Sequence, residues 1–209
     1  MTAGQGAARL NGWLRRIPVG PLYAVLLLPA AWWIWRGVTG RLGADPVRAL
    51  EQELGLFALQ LLIAALCVTP LREITGVTLL RFRRCLGLSA FWYACLHLAA
   101  WLSLDRQFDW ARVLEDLTKR PYVILGMTAF VLLIPLAATS SNAAIRRLGP
   151  IRWRALHRLA YPATLFAAIH FIWLVKAWPL EPLAYGAGVL ALLAWRLRGR
   201  LARRRSVGA

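Results

Sequence analysis

Long apolar blocks alternate with short basic or mixed-charge connectors along the whole chain. Six blocks stand out, near Pro18–Val38, Leu54–Leu71, Cys85–Leu104, Tyr122–Ala138, Ala155–Val175 and Leu183–Trp195. A helix needs about 20 consecutive apolar residues to cross the hydrocarbon core of a bilayer. The pattern therefore predicts an all-α integral membrane protein, a six-helix transmembrane bundle whose last span is short. No low-complexity linker or shift of composition divides it, so residues 1–209 read as a single transmembrane domain. Between the third and fourth blocks, DRQFDWARVLEDLTKR (Asp105–Arg120) sets Phe108, Trp110, Val113, Leu114 and Leu117 among charges at helical spacing. This fits an amphipathic helix lying on the membrane interface, a solvated loop with interfacial aromatics, or a docking surface for an outer-side partner.

Composition strengthens the membrane reading. The 209 residues are 59% hydrophobic, include 11 Trp and have a mean hydropathy of +0.54, whereas soluble domains are about half apolar. The net charge of +17 would suit nucleic acid, but its placement points elsewhere. With a cytoplasmic N-terminus, 18 of the 26 basic residues fall on the cytoplasmic side, opposed only by Glu73. The other side balances eight basic against eight acidic residues. That is the positive-inside pattern, and it sets both termini in the cytoplasm. The arginines then read as topology signals and lipid anchors, and no nucleic acid is expected. The first apolar block is longer than a signal-peptide core and lacks an A-x-A site, so it is expected to be a retained helix. Cys67, Cys85 and Cys95 form no C-x-x-C and read as packing residues. Neither a G-x-G-x-x-G nor a P-loop is present, so no nucleotide-binding domain is expected.

All three histidines lie in or at the edge of apolar blocks: His97 in the third, His157 and His170 in the fifth. Ionisable groups in a membrane are costly and mark function. Counted from the cytoplasmic side, His97 lies about 18 Å into its helix and His170 about 22 Å into its own. The two share a depth in the outer half of the bilayer, with His157 about 20 Å below. Two neutral imidazoles facing each other from separate helices can ligate one iron, as in a b-type haem site within a bundle. Such a site needs no C-x-x-C-H attachment motif, and none is present. Zinc fits less well, because no Cys, Asp or Glu converges with the histidines. A proton relay would need intramembrane acids, and the spans have almost none. His157 lies about 140° around a straight helix from His170, although Pro162 between them can kink the helix. It is an inner ligand with an unnamed partner, an alternate ligand, or a hydrogen-bonding residue.

With its histidines thirteen residues apart on the fifth span and one on the third, the chain resembles the ferric reductase and NADPH oxidase transmembrane domain. TPLREITG (Thr69–Gly76), LLRFRRCLGLSAFWYACLHL (Leu79–Leu98), ATSSNAAIRRLG (Ala138–Gly149), WRALHRLAYP (Trp153–Pro162) and IHFIWLVK (Ile169–Lys176) narrow the likeness. Together they are similar to the haem-binding membrane subunit of the bacterial periplasmic methionine-sulfoxide reductase system, the YedZ family. The resemblance implies haem b on His97 and His170, with His157 a candidate additional ligand and hence one haem or two. The oxidases carry a second histidine on the third helix, where this chain has Arg83, and a C-terminal flavin and nicotinamide domain that is missing here.

Electrons are then implied to come from the respiratory quinone pool, with FMN as an added cofactor, or from a cytoplasmic flavin reductase. They would cross the bacterial cell inner membrane to a periplasmic molybdopterin-dependent methionine-sulfoxide reductase catalytic subunit, supporting repair of oxidised proteins. This chain would perform no sulfoxide chemistry of its own. Arg72, Arg83 and Arg84 could meet haem propionates or a flavin phosphate, or serve only as inside anchors. A stand-alone transmembrane ferric or quinone reductase-type cytochrome b is the alternative. A small transporter or structural membrane protein is a third reading, opposed by the scarcity of intramembrane acids and of paired broken helices.

Overall fold

The computed structural model of the chain describes residues 3–175 and 179–207. Lys176, counted above with the outer-side charges, lies outside them. Among the described residues there is no strand. Ten α-helices follow in order: α1 (Ala3–Arg16), α2 (Val19–Val38), α3 (Pro46–Thr75), α4 (Arg83–Ala100), α5 (Trp110–Lys119), α6 (Pro121–Ala138), α7 (Asn142–Leu148), α8 (Pro150–Leu156), α9 (Ala160–Leu174) and α10 (Leu180–Val207). The helix α4 is led in by a 3₁₀ turn at Leu80–Phe82 and continues as a π-helical turn, Trp101–Asp105.

Four segments are long and apolar enough to cross a membrane: Pro46–Thr75, Leu80–Asp105, Pro121–Ala138 and Leu180–Gly199. A fifth arises if Gln5–Arg16 and Val19–Val38 count as one span, but the two are bent by 85° at their junction. The six unbroken spans expected from the sequence are therefore not what the helices display. The fifth predicted span, Ala155–Val175, is divided into α8, a 3₁₀ turn at His157–Leu159, and α9. The 15 residues of α9 reach about 22 Å at 1.5 Å each, short of a hydrocarbon core of about 30 Å. Pro162 explains the division. It has no N–H to give the carbonyl four residues back, and its ring crowds that carbonyl.

The helix α3 is the centre of the bundle. Asp45 caps its start by accepting from the Arg48 N–H at 3.1 Å, Pro46 occupies its first turn, and Gly76 ends it at φ +74°. These are the residues that each position favours. Of its most apolar stretch 44% is buried, against 17% for α6 and for α10, so it is α3 that the other helices pack around. The closest pairings are α3 with α4 and α6 with α9. Leu54, Ala58, Leu62, Ala90, Tyr93, Leu133 and Ala163 form the shared core. Outward-facing Leu27, Leu28, Trp32, Val131 and Leu190 stay exposed, as expected where lipid tails are the solvent.

Two prolines open helical hydrogen bonds that distant side chains close. Beside Pro29 in α2, the fully buried Tyr93 hydroxyl accepts from the Ala30 N–H at 3.0 Å and donates to the Leu26 carbonyl at 2.7 Å. It thus stands in for the bond between those two groups, and in lipid no water could do so. Pro70 leaves the Leu66 carbonyl in α3 without its helical donor, and Arg196 of α10 supplies one at 2.8 Å. The predicted amphipathic segment forms α5, capped by Asp109, with Val113 and Asp116 buried and Phe108, Trp110 and Leu114 exposed.

Candidate functional site

The pairing of α3 with α4 and of α6 with α9 brings His97 and His170 together, as their shared depth predicted. Their ring centres are 6.3 Å apart and their planes cross at 75°. Each ring is held by a backbone carbonyl of the neighbouring helix. His97 Nδ1 lies 2.8 Å from the Glu51 carbonyl and His170 Nδ1 lies 2.6 Å from the Tyr122 carbonyl. A carbonyl only accepts, so each Nδ1 carries the proton and each Nε2 keeps its lone pair. This is the tautomer of a metal-ligating histidine, with the second hydrogen bond fixing the ring.

Both histidines line a cavity of about 550 Å³ at the α5 end of the bundle. Its walls are largely apolar, with Phe130, Phe171 and Trp101 among them, and its mouth carries Arg48, Arg106 and Arg120 together with Asp45, Glu51 and Asp105. An apolar chamber of this size with a few placed polar groups is the usual form of a cofactor site. Two glycines, Gly55 of α3 and Gly126 of α6, also line it, and each backs directly onto one of the rings.

The mouth is braced by α5. Asp116 pairs with Arg106 at 2.7 Å and with Arg120 at 2.9 Å, and Arg120 donates to the Tyr122 hydroxyl at 3.1 Å. That hydrogen bond raises the Arg120 pKa above its ordinary value. Arg106 follows α4, which carries His97, and Arg120 precedes α6, whose Tyr122 carbonyl holds His170. The one buried carboxylate of α5 therefore ties the end of the α4 segment to the start of α6.

His157 lies elsewhere, in the 3₁₀ turn before α9. Its Nε2 is 2.9 Å from the Thr139 hydroxyl, and Trp153 stacks on its ring at 3.9 Å. Trp153 in turn donates to the Thr139 carbonyl at 2.9 Å. His157 lines a second cavity, of about 600 Å³, that includes Arg83, Arg84, Arg154 and Arg158 but no carboxylate. The two cavities share Leu62 and Leu133 in their walls. Of the three arginines singled out in the sequence, Arg83 and Arg84 line this second cavity; Arg72 is exposed and lines neither. Arg154 and Arg158 were read only as inside anchors. Glu51, Gly55, Tyr122 and Gly126 were not singled out at all, since nothing in a single helix's sequence shows which neighbour it touches.

Among the described residues no group of three or more His, Cys, Asp or Glu could hold a metal ion. A bare structural zinc needs four protein ligands, whereas a metal carried in a macrocycle needs only axial ones. The spacing fits the second case. Two imidazoles sharing a metal through bonds of about 2 Å each, plus ring radii of about 1 Å, have centres about 6 Å apart.

Residues 53–178 match the family model described as ferric reductase like transmembrane component. Curated relatives from Brucella ovis, Brucella canis and Brucella suis carry the name Protein-methionine-sulfoxide reductase heme-binding subunit MsrQ. Each is 49% identical over 176 residues, which covers 84% of this chain and 80% of the relative. On that identity and coverage, and with a helical fold that brings His97 and His170 together, the chain belongs to the MsrQ family of ferric reductase-like transmembrane components.

Proposed function

We propose that this protein is a b-type haem electron-transfer subunit of a methionine-sulfoxide reductase system, with His97 and His170 as the axial ligands of its haem. The observation that carries the reading is the imidazole pair itself, 6.3 Å between ring centres, with both Nδ1 atoms committed to backbone carbonyls. The haem name of the relatives agrees with it. When bound, the haem supplies one-electron chemistry. The chain's residues do the rest: α3 and α6 orient the two rings, the apolar walls exclude water, and Arg48, Arg106 and Arg120 offer cationic partners to propionates at the outer mouth.

The chemistry of the two ends supports one direction of transfer. The inner cavity, with four arginines and no carboxylate among its lining residues, suits an anionic aromatic electron carrier. FMN is the carrier we assign there: Arg83 and Arg84 would hold its phosphate, and its electrons would come from the quinone pool or a cytoplasmic flavin reductase. His157, stacked by Trp153 on the same wall, would face that group or serve as an additional iron ligand there. Electrons leave from the outer site to a periplasmic molybdopterin-dependent catalytic subunit, and this chain carries out no sulfoxide chemistry. The setting is the bacterial inner membrane, with six crossings and both termini inside. The last helices to complete that count are α2 and the run from the 3₁₀ turn through α9. Four arginines unopposed by any carboxylate at the inner cavity, against three arginines balanced by Asp45, Glu51 and Asp105 at the outer one, support this orientation.

The test is spectroscopic. The protein purified in mild detergent should show a b-type absorption spectrum that shifts on reduction, and it should lose that spectrum in His97→Ala and His170→Ala. A wild-type protein with no such spectrum after haem-replete expression removes the reading. The ferric reductase-like family match also supports a stand-alone ferric or quinone reductase. Co-purification of an outer-side molybdoenzyme would exclude that alternative, and ferric reduction by the isolated subunit would favour it.

A further inference from the structure

The two ring-holding arrangements are built the same way in helices with no repeat between their sequences. In α3 the carbonyl of Glu51 accepts from His97 Nδ1, and Gly55 stands four residues later. In α6 the carbonyl of Tyr122 accepts from His170 Nδ1, and Gly126 stands four residues later. Residues four apart lie one above the other on a helix face, so each imidazole rests on one strip of backbone. Its Nδ1 edge is tied to the carbonyl and lies against bare glycine one turn on.

The contact is close. A Cβ at Gly126 would lie 2.9 Å from His170 Nδ1 and 3.0 Å from its Cε1. A Cβ at Gly55 would lie 3.0 Å from His97 Nδ1 and 3.1 Å from its Cε1. Glycine is not needed here for backbone freedom, since both sites are helical, and in a helix interior it is less favourable than alanine. What it provides is close approach. By contrast, Gly87 in α4 and Gly188 in α10 have nothing within 4 Å of where a Cβ would stand.

We propose that Gly55 and Gly126 are positioning residues that lock the two axial imidazoles crosswise, and that this crossing sets the electronic structure of the iron they share. The inference rests on the haem reading above. The carbonyl bond to Nδ1 fixes each ring's rotation about its Cβ–Cγ bond, and the bare glycine lets that edge of the ring come close enough to make the bond. With the rotation fixed, the 75° between planes is a built feature of the site. Each imidazole donates π density through the orbital normal to its plane. Parallel rings act on the same iron orbital and split the pair that carries the unpaired electron; crossed rings act on both and leave the pair nearly degenerate. The ferric state is then less stabilised, which raises the reduction potential and favours acceptance of an electron from the inner side.

Electron paramagnetic resonance of the ferric holoprotein tests this, with haem content measured separately. Wild type should give the single low-field feature of crossed imidazoles. Gly126→Ala and Gly55→Ala should shift it toward a three-line rhombic signal and lower the reduction potential, and Gly188→Ala should change neither. A rhombic wild-type signal overturns the proposal. So does a wild-type signal that survives in both Gly126→Ala and Gly55→Ala at full haem content. Loss of haem from those two variants alone supports the steric contact, and the wild-type signal then decides on the crossed planes. Absence of haem from the wild type would instead defeat the functional reading on which this rests.

Discussion

The outer and inner cavities of the proposed orientation are close in size, share Leu62 and Leu133, and hold their histidines in opposite ways. In the outer one, two imidazoles have their Nδ1 atoms bound to carbonyls and their Nε2 atoms available. In the inner one, the single imidazole has its Nε2 engaged by Thr139, and arginines take over the lining. The contrast shows that a histidine's role depends on which ring nitrogen the protein occupies. A carbonyl on Nδ1 prepares a ligand, whereas a hydroxyl on Nε2 uses the nitrogen that His97 and His170 leave free.

The largest expected effect breaks the outer site. His97→Ala and His170→Ala should each abolish nearly all b-type absorbance in the purified protein. Next comes the inner site. Arg83→Leu combined with Arg84→Leu should release a bound flavin, measured as fluorescence in the filtrate, while the haem spectrum stays. Each lost hydrogen bond to a charged group costs about 1.5–3 kcal/mol, roughly tenfold to a hundredfold in affinity. If haem leaves and flavin remains, the assignment of occupants to cavities is reversed.

A smaller effect is expected in the scaffold common to both. Tyr93→Phe strands the Ala30 N–H and the Leu26 carbonyl in a core without water, at a cost of about 1–3 kcal/mol. Thermal unfolding in detergent should move down accordingly, with both cofactors retained at lower temperature. The smallest effect sharpens the comparison most. His157→Ala should leave the reduced-minus-oxidised spectrum of the outer haem in place, because His157 belongs to the other cavity. Loss of that spectrum would show that the inner histidine takes part in ligating the same iron.

Much of this was legible in the chain. Apolar blocks announced the helices, and the DRQFDWARVLEDLTKR segment its amphipathic helix. Simple helical rise matched the depths of His97 and His170 before any fold was available. Rise could not foresee the 3₁₀ turn that interrupts the fifth block at His157–Leu159, because a proline permits a break without dictating where it falls. Nor could it separate the arginines. Arg72 and Arg83 look alike as inside charges, yet one is exposed and the other faces a cavity, since only the rotation of each helix against its neighbours makes the difference.

The amino-acid sequence by itself determined the helical class, the basic side and the pair of histidines at one depth, because hydropathy, charge and rise per residue are properties of a single helix. Only the tertiary structure decided that the Glu51 and Tyr122 carbonyls hold the rings and that Gly55 and Gly126 back them. Both depend on two helices meeting in one register, and the partners stand 46 and 48 residues apart in the chain.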